Sequence, residues 1–344
     1  MNRQHPFKKI AVIGAGSWGT AIANLLAKKG LTIHLWAFEQ EIVESINTQR
    51  ENKVFLPGID LSHNLLCDSN LKKTVSDKDL IILVIPSHVF RATIDRVAET
   101  ISPDSVLVTA SKGIETHTGN TMHGILCDVV PQVPSEHKAV LSGPSFAREV
   151  AMDVPTVVTV AAKSHEVAVD IQNLFATPFF RVYTSTDIVG LELGGAVKNV
   201  IAIASGITDG MGLGLNTRAA LLTRGLAEIR RLGAKLGAHP DTIMGLGGFG
   251  DLVLTATGSL SRNYTFGQKI GKGQSAQDIL ASSRMVVEGF HNAKTVCELA
   301  ENCEVEMPIS HAVYRILYEG LHPKKAVMSL MTRELKPEVD ALRS

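Results

Sequence analysis

A single lysine, Lys198, lies in an otherwise apolar and glycine-rich segment, residues 191–212. Apolar side chains recur there at helical spacing, at Leu193, Val197, Ile201 and Ala204. This pattern predicts a largely buried helix. Because burying an unpaired ammonium is costly, Lys198 must extend to the surface, point into a polar cleft or pair with a carboxylate. In a cleft, a protonated lysine can donate a proton to a carbonyl oxygen.

A candidate partner for this lysine lies further along the chain. Asp251 follows the glycine-rich residues 245–250, and Thr255 comes one helical turn later. Asp251 is either a helix N-cap or the carboxylate that pairs with Lys198. In the second case, the carboxylate would keep the lysine protonated in a partly dry cleft, as acid catalysis requires.

Two further cations could bind an anion. Arg262 stands between Ser261 and Asn263, and its planar guanidinium is suited to a phosphate or a carboxylate. Lys112 follows a predicted strand closely, so it is either an ordinary loop lysine or a second cation of the site. Taken alone, Arg262 would be read as a surface residue.

A glycine-rich motif lies near the start of the chain. Gly14-Ala-Gly-Ser-Trp-Gly19 directly follows the buried strand predicted at residues 9–13 and precedes a helical pattern at residues 20–29. Gly14 permits the tight turn, Gly16 lets backbone N–H groups approach a pyrophosphate, and Gly19 allows close helix packing. This setting predicts dinucleotide binding.

The acidic residue that follows the second predicted strand favours NAD. Glu39 comes twenty residues after Gly19, just beyond the strand predicted at residues 32–36, and is placed to accept the ribose hydroxyls. No Lys or Arg occurs between His34 and Arg50, whereas a carboxylate repels a 2′-phosphate. NADP stays open as an alternative.

Alternating strand and helix patterns predict an α/β Rossmann-type N-terminal domain plus an all-α C-terminal domain. Further strands are predicted at residues 79–85, 105–110, 138–141, 155–161 and 180–183. After Asp187 the strand patterns stop. A helix is predicted at residues 217–236, and further helices or helical turns are predicted at residues 241–248, 264–271, 276–281, 292–302, 310–318 and 323–331. We therefore expect a dinucleotide-binding domain at residues 1–188, a helical substrate-binding and catalytic domain at residues 189–344, and a cleft between them.

Composition narrows the class of protein. The 344 residues suit two domains, and 34 basic against 34 acidic side chains argue against nucleic acid as a partner. The four cysteines form no Cys-x-x-Cys pair, so neither a zinc site nor a redox dithiol is predicted. No signal peptide is recognised, and the longest strongly apolar run, residues 80–85, is too short to span a bilayer. We expect a soluble protein without membrane insertion, with a frayed tail at residues 333–344.

Together the motifs resemble those of the NAD(P)-dependent glycerol-3-phosphate dehydrogenase family. The resemblance extends from about Lys9 to Met331. The motifs occur in the family's order: Gly14-Ala-Gly-Ser-Trp-Gly19, Ser111-Lys-Gly113, Ser142-Gly-Pro-Ser-Phe-Ala147, Leu193-Gly-Gly-Ala-Val-Lys-Asn-Val200, Gly248-Phe-Gly-Asp-Leu252, Ser261-Arg-Asn263 and Val287-Glu-Gly289.

The resemblance implies reversible reduction of dihydroxyacetone phosphate to sn-glycerol 3-phosphate, which supplies glycerophospholipid biosynthesis. By this likeness Lys198 is the proton donor in reduction and the acceptor in oxidation, and no metal is required. The residues expected to line the substrate are Lys112, Gly143, Ser145, Asp251, Ser261, Arg262 and Asn263, with Asn199 and Thr255 beside them. The family positions that contact the nucleotide match Ser17, Trp18, Lys112, Ala147, Arg262, Val286 and Glu288.

One position departs from many bacterial members. Family enzymes that use NADP often carry His or Arg where this chain has Phe38, so the resemblance agrees with the charge argument for NAD. The likeness also suggests a homodimer, whereas the expectation of a cytosolic protein comes from the scattered cysteines, which we interpret as reduced thiols.

Two other functions stay open at this stage. A different hydroxyacid or phosphosugar dehydrogenase could share the two-domain plan, because fold does not fix substrate. A module that senses NADH without turnover could also share it, although the joint presence of Lys198, Asp251 and Thr255 argues against this alternative.

Overall fold

The computed structural model describes residues 5–116, 118–282 and 285–338. Its first part is organised around one eight-stranded sheet, whose central strands are fully buried. The strands are β1 (Ile10–Ile13), β2 (Ile33–Trp36), β3 (Leu65–Asp68), β4 (Leu80–Leu83), β5 (Val106–Thr109), β6 (Lys138–Ser142), β7 (Thr156–Ala162) and β8 (Phe180–Ser185).

Helices flank the sheet and then continue alone. Those between the strands are α1 (Ser17–Lys28), α2 (Gln40–Gln49), α3 (Leu71–Val75), α4 (Phe90–Asp95), α5 (Met122–Val129), α6 (Ala147–Ala151) and α7 (His165–Phe175). Those after the sheet are α8 (Ile188–Gly210), α9 (Gly214–Lys235), α10 (Pro240–Met244), α11 (Asp251–Thr257), α12 (Arg262–Gly271), α13 (Ala276–Ala281), α14 (Glu288–Asn302), α15 (Pro308–Tyr318) and α16 (Pro323–Met331). The predicted class, a Rossmann-type α/β part followed by a helical part, is confirmed.

The sheet order places the glycine motif where a ligand is expected. The order is β3-β2-β1-β4-β5-β6-β7-β8, and neighbouring strands are parallel except β6 and β7. The chain moves outward from β1 through β2 and β3, then returns to β4 on the other side of β1. In such sheets, ligands bind beyond the carboxyl ends of the strands at this reversal. The glycine motif begins directly after β1.

One strand escaped the sequence-based prediction. β3 reads Leu-Leu-Cys-Asp and lies at the edge of the sheet, paired only with β2. Its burial alternates, and Leu66 is 46% exposed, so the run lacks the continuous apolar character of the central strands. The other seven strands lie where they were predicted, with ends shifted by one or two residues.

Several helices begin earlier than predicted. α1 begins at Ser17, α12 at Arg262 and α14 at Glu288, between two and four residues before the expected starts. Their first turns carry polar or glycine residues, which contribute no apolar periodicity.

The helix or helical turns predicted at residues 241–248 form two separate elements. α10 ends at Met244, and a single π-helical turn, Leu246–Gly250, follows it. Gly245 is extended, and the glycines that follow it allow the backbone to leave the α-helical path.

Helix α8 forms the centre of the second part. Its backbone approaches α12 so closely that a Cβ at Gly206 would lie 2.0 Å from the Tyr264 carbonyl oxygen. By length and hydropathy α8 could cross a membrane, contrary to the expectation drawn from the longest strongly apolar run, residues 80–85. However, 94% of its most apolar window is buried inside the protein, as in the core helix of a soluble protein.

The C-terminal tail is described only in part. Residues 333–338 form neither helix nor strand, and residues 339–344 lie outside the described residues.

Candidate active site

Four side chains form a lysine cluster: Lys112, Lys198, Asp251 and Thr255. Lys198 is 5% exposed, and its Nζ donates to Asp251 Oδ1 and, over 2.6 Å, to Thr255 Oγ1. Lys112 Nζ donates to Asp251 Oδ2 over 2.5 Å. Two lysines, one from the loop after β5 and one from α8, therefore share one buried carboxylate.

The two open questions about these residues are thereby answered. Lys198 neither reaches the surface nor lacks a partner, since it pairs with a carboxylate. Asp251 is the first residue of α11, and the N-cap position before it belongs to Gly250, which makes no side-chain cap. The carboxylate is used for the ion pairs rather than for capping.

Burial and charge set the protonation of the cluster. Burial lowers the pKa of Lys198 to about 7, and the attraction of Asp251 only partly offsets this effect, while Lys112 adds to it. Burial alone would raise the pKa of Asp251, but the two ammonium groups outweigh it and lower that pKa. Lys198 can therefore carry or release a proton near neutral pH, while Asp251 stays ionised.

Two glycines of α8 allow the cluster to assemble. A Cβ at Gly194 would lie 2.6 Å from the Gly247 carbonyl oxygen, so the turn that precedes Asp251 rests directly on the helix backbone. A Cβ at Gly195 would lie 3.1 Å from Ser142 Oγ and 3.5 Å from Lys112 Cδ. The stem of Lys112 thus crosses α8 at Gly195 on its way to Asp251.

A second network of side chains adjoins the cluster. Asn263 Nδ2 donates to Asn199 Oδ1 over 2.8 Å, and Asn263 Oδ1 accepts from the Gly289 backbone N–H over 2.9 Å. Ser261 Oγ caps α12 by accepting from the Tyr264 backbone N–H. These bonds tie the first turn of α12 to α8 and to the start of α14.

Arg262 lies in the same first turn of α12. Its side chain is exposed to solvent, yet neighbouring protein groups remove part of its hydration and lower its pKa, an effect that Glu288 opposes. A guanidinium that is both reachable and partly desolvated can bind an anion with little further desolvation cost.

The backbone around the glycine motif fits a dinucleotide pyrophosphate. Gly14 has φ +113°, and a Cβ there would lie 2.3 Å from the Val84 carbonyl oxygen. A Cβ at Gly19 would lie 1.8 Å from the Gly14 carbonyl oxygen, so both positions require glycine. At Gly16, by contrast, a Cβ would meet nothing within 4 Å, which leaves open space at the N-terminus of α1.

Other predicted nucleotide residues surround this loop. Ser17 Oγ donates to the Phe55 carbonyl oxygen over 2.6 Å, and Trp18 packs, partly buried, against the core of the sheet. Phe38 follows β2 and is 74% exposed, with its ring edge-on to Trp36. Glu39 is partly exposed and immediately precedes α2.

The remaining predicted residues lie at the ends of secondary-structure elements in both parts of the chain. Gly143 and Ser145 follow β6, where Ser145 Oγ and Lys112 Nζ both donate to the Gly143 carbonyl oxygen, over 3.0 and 3.4 Å. Ala147 is the first residue of α6, and Val286 is partly buried just before α14.

Sequence reasoning missed the contact that joins the two parts at α14. Glu288 is the first residue of α14 and accepts from the Ser87 backbone N–H over 3.1 Å and from Ser87 Oγ. Beside it, the imidazoles of His88 and His291 stack with centroids 4.7 Å apart. Ser87 follows a buried strand, as site residues do, but Glu288 is 201 residues away and no pattern links the two.

Comparisons with known proteins agree with this geometry. The family model described as NAD-dependent glycerol-3-phosphate dehydrogenase N-terminus matches residues 9–168, and the corresponding C-terminus model matches residues 187–328. A glycerol-3-phosphate dehydrogenase [NAD(P)+] of Geobacter sulfurreducens is 53% identical over 331 residues, covering 96% of this chain and 99% of the relative. One of Syntrophobacter fumaroxidans is 49% identical over 335 residues, covering 97% and 98%.

A solved structure shows the same fold. The crystal structure of glycerol-3-phosphate dehydrogenase from Coxiella burnetii superposes with a TM-score of 0.91 at 39% sequence identity, covering 96% of this chain and 99% of that one. The resemblance drawn from the motifs is thereby confirmed: the chain belongs to the NAD-dependent glycerol-3-phosphate dehydrogenase family.

Proposed function

We propose that this protein reversibly reduces dihydroxyacetone phosphate to sn-glycerol 3-phosphate with NADH or NADPH, and that Lys198 is its proton donor. Family membership supports the reaction, and the glycine motif supports the nucleotide. The observation that carries the role of Lys198 is its burial beside Asp251 and Thr255 with a pKa of about 7. A module that only senses NADH has no use for such a lysine.

The bound nicotinamide supplies the hydride, and this chain supplies the proton. In reduction, Lys198 Nζ donates a proton to the carbonyl oxygen as negative charge develops there; in oxidation, the neutral amine accepts it back. Asp251 and Thr255 fix the direction of Nζ through the bonds described above. Because the pKa of Lys198 is about 7, both protonation states are populated near neutral pH.

The substrate phosphate requires a cation other than Lys198, which is assigned to proton transfer. We assign it to Arg262 in the first turn of α12, with Ser261 and Asn263 as neutral neighbours. A guanidinium can bind two phosphate oxygens at once, which suits a dianion. The residues proposed to complete the substrate site are Lys112, Gly143, Ser145 and Asn199 together with Asp251.

The dinucleotide is proposed to bind along the carboxyl ends of β1 and β2. Gly14, Gly16 and Gly19 would receive the pyrophosphate at the start of α1, with Ser17 and Trp18 in the same turn. Phe38 and Glu39 would contact the adenosine end, where the carboxylate favours the free ribose hydroxyls of NAD over the 2′-phosphate of NADP. Nearer the cleft, the proposed contacts are Lys112, Ala147, Arg262, Val286 and Glu288.

We propose a nucleotide-binding domain at residues 1–188 and a catalytic domain at residues 189–344, because the last strand ends at Ser185 and α8 begins at Ile188. We further propose a cytoplasmic homodimer that supplies glycerol 3-phosphate for phospholipid synthesis.

The test is NADH oxidation by the purified protein with dihydroxyacetone phosphate. Parallel reactions contain NADPH in place of NADH, or dihydroxyacetone without its phosphate. Turnover with the phosphate ester and little with dihydroxyacetone is the expected result. No turnover with either nucleotide, in protein shown to bind NADH, would refute the proposed reaction.

A further inference from the structure

A buried carboxylate on α8 takes no part in the chemistry proposed above. Glu192 lies six residues before Lys198 on the same helix and is 6% exposed. Its Oε1 accepts from the His123 backbone N–H, at the start of α5, over 2.8 Å. Burial raises the pKa of Glu192 to about 7, and hydrogen bonds from the Thr121 side chain and from the backbone of His123 and Met122 oppose this rise. The Glu192 carboxylate, on α8 in the helical part of the chain, thus binds the first turn of α5, a helix that flanks the sheet.

The hydroxyl that caps α5 is connected to this carboxylate. Thr121 Oγ1 accepts from the Gly124 backbone N–H, over 3.2 Å, and its side chain also hydrogen-bonds to Glu192. The helix dipole and the free N–H groups of a first turn favour a negative charge at this point. Glu192 therefore anchors α8 to α5 through several bonds.

The anchor lies beside the path of Lys112. Glu192, Lys112, Ser142 and Gly195 line one narrow gap between α8, the loop that follows β5 and the end of β6. In this gap the stem of Lys112 packs on Gly195, and its Nζ reaches Asp251. A shift of α8 away from the loop that follows β5 would separate Lys112 from the carboxylate that it shares with Lys198.

We propose that Glu192 is a positioning residue: by binding the start of α5, it holds α8 at the distance from the sheet at which Lys112 and Lys198 both reach Asp251. This inference rests on the proposed function of the same site. Displacements of about 1 Å in an active site can lower rates about 100-fold, so loss of the anchor reduces turnover without removing any group that contacts substrate.

The chain offers a matched control for the test. Glu228 on α9 is 1% exposed and accepts from the backbone N–H groups of Ile309 and Ser310 over 2.6 and 3.1 Å, at the start of α15. It too is a buried carboxylate that binds the first turn of another helix. Both helices of this contact, however, belong to the helical part, and none of these residues is assigned to the site.

The experiment compares Glu192→Leu, Glu192→Gln, Glu228→Leu and the wild type for kcat, for KM of dihydroxyacetone phosphate, for NADH affinity and for melting temperature. We expect Glu192→Leu to lower kcat about tenfold or more while NADH affinity stays within about twofold. Glu192→Gln should recover part of the loss, because its carbonyl oxygen can still accept from the His123 N–H. Glu228→Leu should lower the melting temperature and leave kcat within about twofold of the wild type.

Several outcomes would overturn the inference. Glu192→Leu with a kcat within about twofold of the wild type, or equal losses of kcat in the Glu192 and Glu228 variants, would reduce Glu192 to a purely structural role. If Glu192→Leu fails to fold, Glu192→Ala decides, because it too removes the acceptor for the His123 N–H: a kcat within about twofold of the wild type counts against positioning, and a lowered kcat with intact NADH binding supports it. Wild-type protein without turnover would instead refute the proposed function, and this inference with it.

Discussion

The glycine motif and the lysine cluster, which are the proposed nucleotide site and the proposed proton donor site, are built in opposite ways. The motif works through backbone, with Gly16 facing open space and the nearby Phe38 74% exposed. The cluster works through side chains, with Lys198 5% and Asp251 1% exposed. Binding of a large, charged dinucleotide requires an open surface with free N–H groups, whereas control of one proton requires a dry site with few partners. The difference predicts that variants of the cluster affect kcat and that variants near the motif affect nucleotide affinity or selectivity.

The largest effect is expected at Lys198. Lys198→Ala should lower kcat about 100-fold or more, as removal of a general acid does, while NADH affinity stays nearly unchanged. Steady-state kinetics and NADH fluorescence titration would measure the two quantities. Lys138→Met is the matched control: Lys138 is also a buried lysine, bonded to the Val130 carbonyl oxygen outside the cluster. Near-normal turnover in Lys198→Ala would refute the assigned role.

The second-largest loss of kcat is expected when the carboxylate shared by Lys112 and Lys198 is removed. Asp251→Asn leaves two ammonium groups without their common partner and lowers the pKa of Lys198 further, so kcat for reduction at neutral pH should fall about 10- to 100-fold. Kinetics at pH 6 and pH 7 would also show partial recovery at the lower pH, where more Lys198 is protonated.

Asp209 provides the comparison for this variant. Its carboxylate pairs with Arg218 and accepts from the Tyr264 hydroxyl, away from the cluster. Asp209→Asn should cost stability but not kcat. Equal kinetic losses in both variants would mean that the Asp251 effect is a general consequence of breaking a polar network.

A smaller effect, confined to substrate affinity, is expected at Arg262. A charge-assisted hydrogen bond contributes about 1.5–3 kcal/mol, so Arg262→Ala should raise KM for dihydroxyacetone phosphate about 10- to 100-fold. Arg231→Ala, at a residue that donates to the Glu306 carbonyl oxygen, should leave KM unchanged. An unaltered KM in Arg262→Ala would place the phosphate elsewhere.

The smallest effect is expected beside the glycine motif. Glu39→Ala removes the charge that repels a 2′-phosphate, and should raise the ratio of NADPH to NADH use several-fold without abolishing either activity. The ratio of kcat/KM values for the two nucleotides measures this change. Glu44→Ala, on an exposed turn of α2, should not alter the ratio. A constant ratio in Glu39→Ala would refute the reading of the ribose site.

The same contrast explains what the sequence could predict. A site formed by backbone N–H groups needs glycine at fixed spacing, so Gly14, Gly16 and Gly19 predicted it directly from the sequence. A site made of side chains leaves a weaker signal, because its partners meet only in the fold: Asp251 lies 53 residues from Lys198 and 139 from Lys112. The cost of burying an ammonium still reduced the options for Lys198 to three, of which the carboxylate pair was one.

The errors of prediction share a physical cause. Apolar periodicity reports only surfaces that face a core, so it missed the first turns that carry Arg262 and Glu288. For the same reason it missed the half-exposed edge strand β3. Nothing in the sequence pairs Glu288 with Ser87 or Glu192 with α5, because each contact joins distant parts of the chain.

The most direct test of the role of Lys198 is the pH dependence of kcat/KM in both directions at saturating nucleotide. Reduction needs protonated Lys198, so its kcat/KM should be level below pH 7 and fall about tenfold per pH unit above it; oxidation needs the neutral amine, so its kcat/KM should rise up to about pH 7 and then level off. Both profiles should change slope near the same pH, and Lys198→Ala should lack that change. A change of slope that persists in Lys198→Ala would contradict the assignment of the proton to Lys198.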